Sequence, residues 1–154
     1  MDDTRRQRVL VVTDKAEPSH SLLEAIRHRT QQGQAQVRLV VLNPARAELN
    51  LIHPERHDKA IEAEHVLHAA MPRLTEAAGG RVIGSVSVRH DPMDAIEEVL
   101  FSEPIDEVLV DVRAHHLASL LHQDLEHRLR HHHVTVTTIR HEEPQPHGSH
   151  APPP

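Results

Sequence analysis

Five short apolar runs, separated by longer polar stretches with helical spacing, constrain the fold of this chain more than any other feature. The runs are rich in Val, Leu and Ile and lie at 8–13, 37–42, 82–88, 107–112 and 134–139. Runs of this length and composition are typical of buried strands. Strands that alternate with helices form a parallel sheet with right-handed crossovers and helices on both faces. The sequence therefore predicts one α/β domain at residues 8–140.

The stretches between the strands carry helix start and stop signals. Ser21 and Glu24 are spaced as a capping box near the start of the first helix. In the third, Asp91 can cap the helix and Pro92 suits its first position.

Two further helices are predicted from apolar spacing. The longest covers Glu55–Ala78 and contains Pro72, which we expect to kink or divide it. One last helix is predicted to carry Leu121, Leu125 and Leu129, which lie four residues apart.

The bulk composition limits the class of function. With 154 residues the chain has the length of one ordinary domain, and its formal net charge of −6 argues against non-specific nucleic-acid binding. Cysteine is absent, which excludes disulfides and cysteine-bound zinc. The apolar runs are shorter than the ~20 residues that span a bilayer. We therefore expect a cytoplasmic protein with neither nucleic-acid nor membrane partners.

The two ends of the chain are predicted to lie outside the packed domain. Residues 1–7 form an N-terminal extension without the features of a signal peptide. Residues 141–154 are rich in Pro and His and contain no core-forming pattern, so we predict a disordered tail.

The segment Val108–Leu129 occupies the place where α/β proteins hold phosphate, between a strand and a helix. A phosphate loop needs glycines, because the backbone must approach the ligand and turn its N–H groups inward. This segment contains no glycine and carries two carboxylates, Asp111 and Asp124. We expect these charges to repel a polyanion.

The order of these segments resembles the universal stress protein family. The resemblance is carried by RVLVVTD, VRLVVLNP and VSVRHDPMDAIEEV, and by a fourth strand followed by a long loop, a helix and the strand VTVTTI. It covers nearly all of the predicted domain. It implies a five-stranded parallel sheet of order 3-2-1-4-5, a dimer, and, in many members, ATP bound by a glycine-rich motif.

The family's glycine-rich motif is not retained in this chain. Its three glycines fall at Asp111, Ala114 and Gln123, and its hydroxyl residue falls at Asp124. The acidic residue that the family places near adenine is retained as Asp14. The positions that the resemblance assigns to the nucleotide are Asp14, Val41, Asp111, Ala114, Gln123 and Asp124. We therefore expect no bound cofactor, and binding of ATP or another anion near Asp14 is an alternative.

Seventeen histidines are present, and some have the spacing of metal ligands. Transition metals bind converging imidazoles, often at i and i+4 of a helix. The candidate pairs are His127 with His131, His53 with His57, and His65 with His68 beside Glu64. Chance pairing is expected at this histidine content, so we predict no dedicated metal site. Metal binding is an alternative, with His127 and His131 as its candidates.

A second interpretation of the histidines is electrostatic. His115, His116 and His122, with Arg113, are predicted to lie in the loop where the family holds phosphate. Protonated imidazoles could bind a small anion there, although exposed loop histidines without a ligand are the simpler explanation.

The sequence contains no recognisable catalytic motif. Metalloprotease, Walker and dinucleotide-binding motifs are missing. No nucleophile elbow surrounds any of the candidate serines, which are Ser85, Ser87, Ser102 and Ser119. We therefore predict a non-catalytic domain that acts through association, and the resemblance to universal stress proteins implies a role in stress response or regulation. The fifth strand, at a sheet edge, is the expected homodimer interface. Its candidate interface residues are Val134, Val136 and Thr138. Another protein is a possible alternative partner.

Overall fold

The computed structural model describes residues 7–42, 55–89 and 91–139. Residues 1–6 of the predicted extension, His53, and the tail at 141–154 lie outside the described residues. The predicted extension at 1–7 is one residue too long, because Gln7 already begins the first strand.

The described chain alternates strands and helices in the predicted order. The strands are β1 (Gln7–Thr13), β2 (Ala35–Val41), β3 (Val82–Val86), β4 (Glu107–Asp111) and β5 (Thr135–Thr138). The helices are α1 (His20–Gln31), α2 (Glu55–Ala78), α3 (Pro92–Ser102), α4 (Ala114–His122) and α5 (Leu125–Arg130). Each predicted strand is present, with ends that differ by no more than two residues.

The five strands form one sheet in the order β3-β2-β1-β4-β5, and every neighbouring pair is parallel. This order and direction confirm the predicted fold. The central strand, β1, pairs on both sides, so that Val11 lies beside Leu39 of β2 and Leu109 of β4. Strands β3 and β5 form the two edges.

Two apolar cores cover the two faces of the sheet. Strand β1 contributes side chains alternately to the two cores, because neighbouring residues of a strand point to opposite faces of the sheet. Val9 and Val11 pack under α1 and α2, whereas Leu10 and Val12 pack under α3, α4 and α5. All four side chains are at most 1% exposed, so burial of each contributes roughly 1.5–3 kcal/mol. Phe101 is 76% exposed and makes an edge contact with His132, their ring centroids lying 5.1 Å apart.

Local capping agrees with the sequence at α3 and differs at α1. Asp91 caps α3, its Oδ1 accepting from the N–H of Met93 at 3.0 Å. At α1 the cap is Ser19, whose Oγ accepts from the N–H of Leu22. The predicted capping box at Ser21 is therefore wrong, because Ser21 already lies in the first turn.

Helix α2 has the predicted bounds and is continuous through Pro72. The prediction of the last helix needs correction. The predicted last helix is two helices, because Asp124 adopts a left-handed backbone conformation with φ of 59° between α4 and α5. This break turns Leu121 outward, 55% exposed, while Leu125 and Leu129 remain buried. Within the described residues, no helix is long and apolar enough to cross a membrane.

A buried ion pair closes the amino-terminal end of the sheet. The carboxylate of Glu107 accepts from Nε and Nη2 of Arg29, each at 2.7 Å, and also from Gln7 and Thr137. Hydrogen bonding to Glu107 raises the pKa of Arg29 above its ordinary value. The sequence analysis did not anticipate this pair.

Candidate functional site

The candidate site lies at the carboxyl ends of β1 and β4, which are neighbours in the sheet. Thr13 pairs with Asp111, so the chain segments that follow the two strands leave the same edge side by side. Asp14 follows β1, and Arg113 precedes the first turn of α4. This edge corresponds to the predicted nucleotide position.

Asp111 is buried completely, and its carboxylate is bonded from within the chain. Its Oδ1 lies 2.8 Å from Nζ of Lys15, and its Oδ2 accepts from the N–H of Ser19 at 3.3 Å. Since Ser19 caps α1, the carboxylate fixes the start of that helix against β4. Asp111 therefore presents no open negative charge at this edge, because its carboxylate is buried and paired with Lys15.

Asp14 is also bonded internally and is only 9% exposed. Both of its oxygens accept from the backbone N–H of Arg113, at 3.0 and 3.2 Å. Its Oδ2 lies 2.5 Å from Nδ1 of His116, which is 7% exposed. The carboxylate that the resemblance places near adenine thus connects β1 to the start of α4.

His115 joins Asp14 and His116 in one group. The rings of His115 and His116 have centroids 4.1 Å apart. One donor atom from each of the three residues lies within 4.8 Å of the others. The three side chains place a carboxylate and two imidazoles at the solvent boundary of this edge, with His115 exposed.

The segment expected to be a long loop is helical. Helix α4 starts at Ala114, three residues after the last residue of β4, and continues to His122. The N–H groups of His116 and Leu117 donate to the carbonyl oxygen of Arg113, as in an ordinary first turn. The predicted loop location of His115, His116 and His122 is therefore wrong, and His122 lies at the opposite end of the helix from Ala114.

The remaining positions of the family motif have structural contacts here. Gln123 donates from Nε2 to Oδ1 of Asp91 at 2.9 Å and accepts from Arg128, so it connects the α4–α5 junction to the cap of α3. Asp124 is exposed at the left-handed turn, with no side-chain cap bond to α5. Val41 is a buried residue at the end of β2 and packs in the core beneath α1 and α2.

The predicted pairs on or next to α5 and on α2 lie apart from this group, and His53 of the third pair lies outside the described residues. His127 lies on α5 and His131 is its C-cap residue, with ring centroids 5.0 Å apart. On α2, Nε2 of His68 lies 3.8 Å from Oε1 of Glu64, both side chains being exposed.

The predicted interface residues lie at or before the edge strand β5. Val134 precedes the strand, is 7% exposed and packs in the core beneath α3, α4 and α5. Val136 is half-buried against the same core, and Thr138 is half-buried at the end of the strand. The side chains of these residues therefore pack mainly within the chain itself. A second strand could pair only with the backbone of β5 at this edge of the sheet.

Comparison with known proteins agrees with this architecture. No protein-family model matches the sequence, and no curated protein matches it. A solved structure of a universal stress protein from Archaeoglobus fulgidus matches with a TM-score of 0.58, over 87% of this chain and 93% of that chain. The chain has a universal stress protein-like fold. Sequence identity to that protein is 16%, so the likeness concerns the fold. This chain has helix α4 where the sequence predicted a long loop.

Sequence reasoning missed two pairings in this universal stress-like fold. It noted Asp14, Asp111 and the two adjacent histidines, but not the contacts of Asp14 with His116 or of Asp111 with Lys15. A usable signal was present, because neighbouring parallel strands bring the residues that follow them to one edge. Two carboxylates and three basic residues at those positions favour ion pairs among themselves.

Proposed function

We propose that this chain is a divergent, non-catalytic universal stress protein-like domain that acts in stress response or regulation through association. It does not hold ATP by the family's glycine-rich motif. The observation that carries this proposal is that both carboxylates at this edge of the sheet are bonded within the chain. Lys15 and the N–H of Ser19 contact the carboxylate of Asp111. The N–H of Arg113 and the ring of His116 contact the carboxylate of Asp14.

The backbone at this edge supports the proposal. A phosphate cradle requires free N–H groups in a loop that glycine makes flexible. Here the N–H of Arg113 donates to Asp14, and those of His116 and Leu117 donate within the first turn of α4. A nucleotide held near Asp14, the alternative function, would have to displace these bonds.

Calorimetric titration with ATP, with and without Mg²⁺, tests the proposal. We expect no saturable heat at micromolar protein concentration. Micromolar affinity that is lost in Asp14→Ala and kept in His68→Ala, a matched change on the exposed face of α2, would contradict it. Far-UV circular dichroism should show that both variants are folded.

The open edge of β5 supports association. The N–H groups of Thr135 and Ile139 donate toward β4, to Asp106 and Val110. Because successive N–H groups of a strand point to opposite sides, those of Val136 and Thr138 point away from β4. Among the residues that the structure describes, no strand pairs with this side of β5. Unpaired donors of this kind favour pairing with a second strand.

A proline substitution tests association at this edge. Thr138→Pro removes one outward donor and leaves the bonds from Thr135 and Ile139 to β4 intact. We expect the wild-type chain to be a homodimer by light scattering after size-exclusion chromatography, and the variant to be a monomer. Ile83→Lys, on the opposite edge strand β3 where Ile83 is 50% exposed, is the matched control and should remain dimeric. A monomeric wild-type chain would contradict self-association.

A further inference from the structure

We propose that Asp14, His115 and His116 form a binding site for a divalent transition metal ion, with Zn²⁺ as the reference ion. This site goes beyond the association proposed above and does not depend on it. It also differs from the pairs with helical spacing, because its ligands come from two elements that are distant in the sequence.

The geometry of the group carries the inference. One donor atom of each residue lies within 4.8 Å of the other two, and the ring centroids of His115 and His116 are 4.1 Å apart. Bound zinc takes nitrogen and oxygen ligands at ~2.0–2.2 Å, which places tetrahedral donors about 3.3 Å from one another. To hold an ion, Oδ2 of Asp14 and Nδ1 of His116, which are 2.5 Å apart, must separate by about 0.8 Å, and the ring of His115 must turn toward them.

Two of the three ligands are held in place before an ion arrives. Asp14 is 9% exposed and accepts from the N–H of Arg113 through both oxygens. This bond orients the carboxylate in the manner of the outer-shell partners that position metal ligands. His116 is 7% exposed and anchored by its place in the first turn of α4. Ion binding therefore requires a small separation of Asp14 from His116 and a reorientation of the exposed ring of His115.

The chemistry of the donors favours a transition metal. Imidazole suits Zn²⁺, Cu²⁺ and Ni²⁺, whereas Mg²⁺ and Ca²⁺ prefer an all-oxygen set. An ion bound at Nδ1 of His116 replaces any proton on that nitrogen, which passes to Nε2 or to solvent. Three protein ligands leave a fourth position for water.

The neighbouring charges set the expected affinity at a moderate level. Lys15 is neutralised by Asp111 at 2.8 Å, so this pair adds little net charge. The amino-terminal end of α4 is partly positive and disfavours a cation, whereas the carboxylate of Asp14 favours it. Because both imidazoles must be neutral, binding should weaken as the pH falls.

Titration of the full chain with Co²⁺ and Zn²⁺ tests the site against the other histidines. An excess of a weak competing ligand such as citrate keeps weaker, exposed histidine pairs unloaded. We expect one Co²⁺ per chain with visible d–d absorption bands, displaced by Zn²⁺. In His115→Ala, whose ring is exposed and outside both cores, the affinity should fall at least about tenfold, the smallest effect of even an outer-shell partner.

Two further variants make the result specific. Asp14→Asn, if folded by circular dichroism, should lose affinity in the same way. The double variant His127→Ala/His131→Ala removes the pair on α5 and should keep both the bands and the affinity. The proposal is overturned if the wild-type chain binds no ion under competition, or if binding survives His115→Ala unchanged. Loss of binding in the α5 variant alone would assign the ion to the other pair.

Discussion

Replacement of Lys15 by Met leaves the buried carboxylate of Asp111 without the ammonium group that neutralises it. That carboxylate also accepts a hydrogen bond from the N–H of Ser19, at 3.3 Å. Methionine retains the length and the apolar stem of lysine, so the change isolates the charge. We expect Lys15→Met to lower the free energy of unfolding substantially.

The distance and burial of the pair give the magnitude. At the Nζ–Oδ1 distance of 2.8 Å, an effective dielectric constant of about 20 gives an attraction of about 6 kcal/mol. Desolvation offsets part of this attraction, and removal of one partner from a buried pair costs about 3–5 kcal/mol. Because the side chain of Lys15 is still 14% exposed, water can reach part of the vacated space. We therefore expect a loss near the lower bound, about 3 kcal/mol.

Urea unfolding followed by far-UV circular dichroism measures this loss. With a slope of about 2 kcal/mol per molar, the midpoint should fall by about 1.5 M. Arg27→Met is the matched control, because Arg27 and Glu24 form a surface pair with side chains 38% and 56% exposed. Removal of such a pair should cost less than about 1 kcal/mol.

The same substitution in an Asp111→Asn background separates the ion pair from other effects of Lys15. Lys15→Met should cost much less there, because the buried charge is already gone. An equal cost in both backgrounds, or a midpoint shift no larger than that of Arg27→Met, would refute the reasoning.

Two further predictions concern contacts outside the candidate site. Glu107→Gln should lower the unfolding free energy by about 2–3 kcal/mol in urea titrations, and equally at pH 7 and pH 9. The reason is that Glu107 raises the pKa of Arg29 in the folded chain, so the guanidinium is charged at both pH values. The stability that the pair contributes is lost only when the pH rises above the pKa of Arg29 in the unfolded chain. Asp91→Ala removes the cap of α3 and the acceptor of Gln123 and should cost about 1–2 kcal/mol by the same assay, whereas Asp91→Asn should cost less. A larger loss in Asp91→Asn would contradict the capping role.

The fold was predictable because local pattern and global topology agree in this chain. β-Branched apolar runs alternate with amphipathic stretches, and this rhythm permits few arrangements other than a parallel sheet. The Asp91-Pro92 cap was read correctly for the same local reason. The break at Asp124 was not predictable, because a left-handed residue that is not glycine is uncommon and leaves little trace in the sequence.

The sequence indicated where the candidate site lies, but it did not indicate which side chains of the site contact one another. The sequence analysis assigned Asp14 and the adjacent histidines to one edge of the sheet, and the structure brings Asp14, His115 and His116 together there. Which basic group meets which carboxylate depends on side-chain direction at the ends of two strands. Lys15 lies 96 positions from Asp111, and no local pattern encodes a pairing over that separation.

The chain has one phenylalanine as its only Phe, Tyr or Trp residue, and this gives it an unusual optical property. The sequence has no tryptophan or tyrosine, and Phe101 stands 76% exposed at the end of α3, touching His132 after α5. The protein therefore has no intrinsic tryptophan or tyrosine fluorescence. An indole introduced at position 101 would be the sole emitter in a dark background, and its signal would report directly on separation of α3 from the segment after α5.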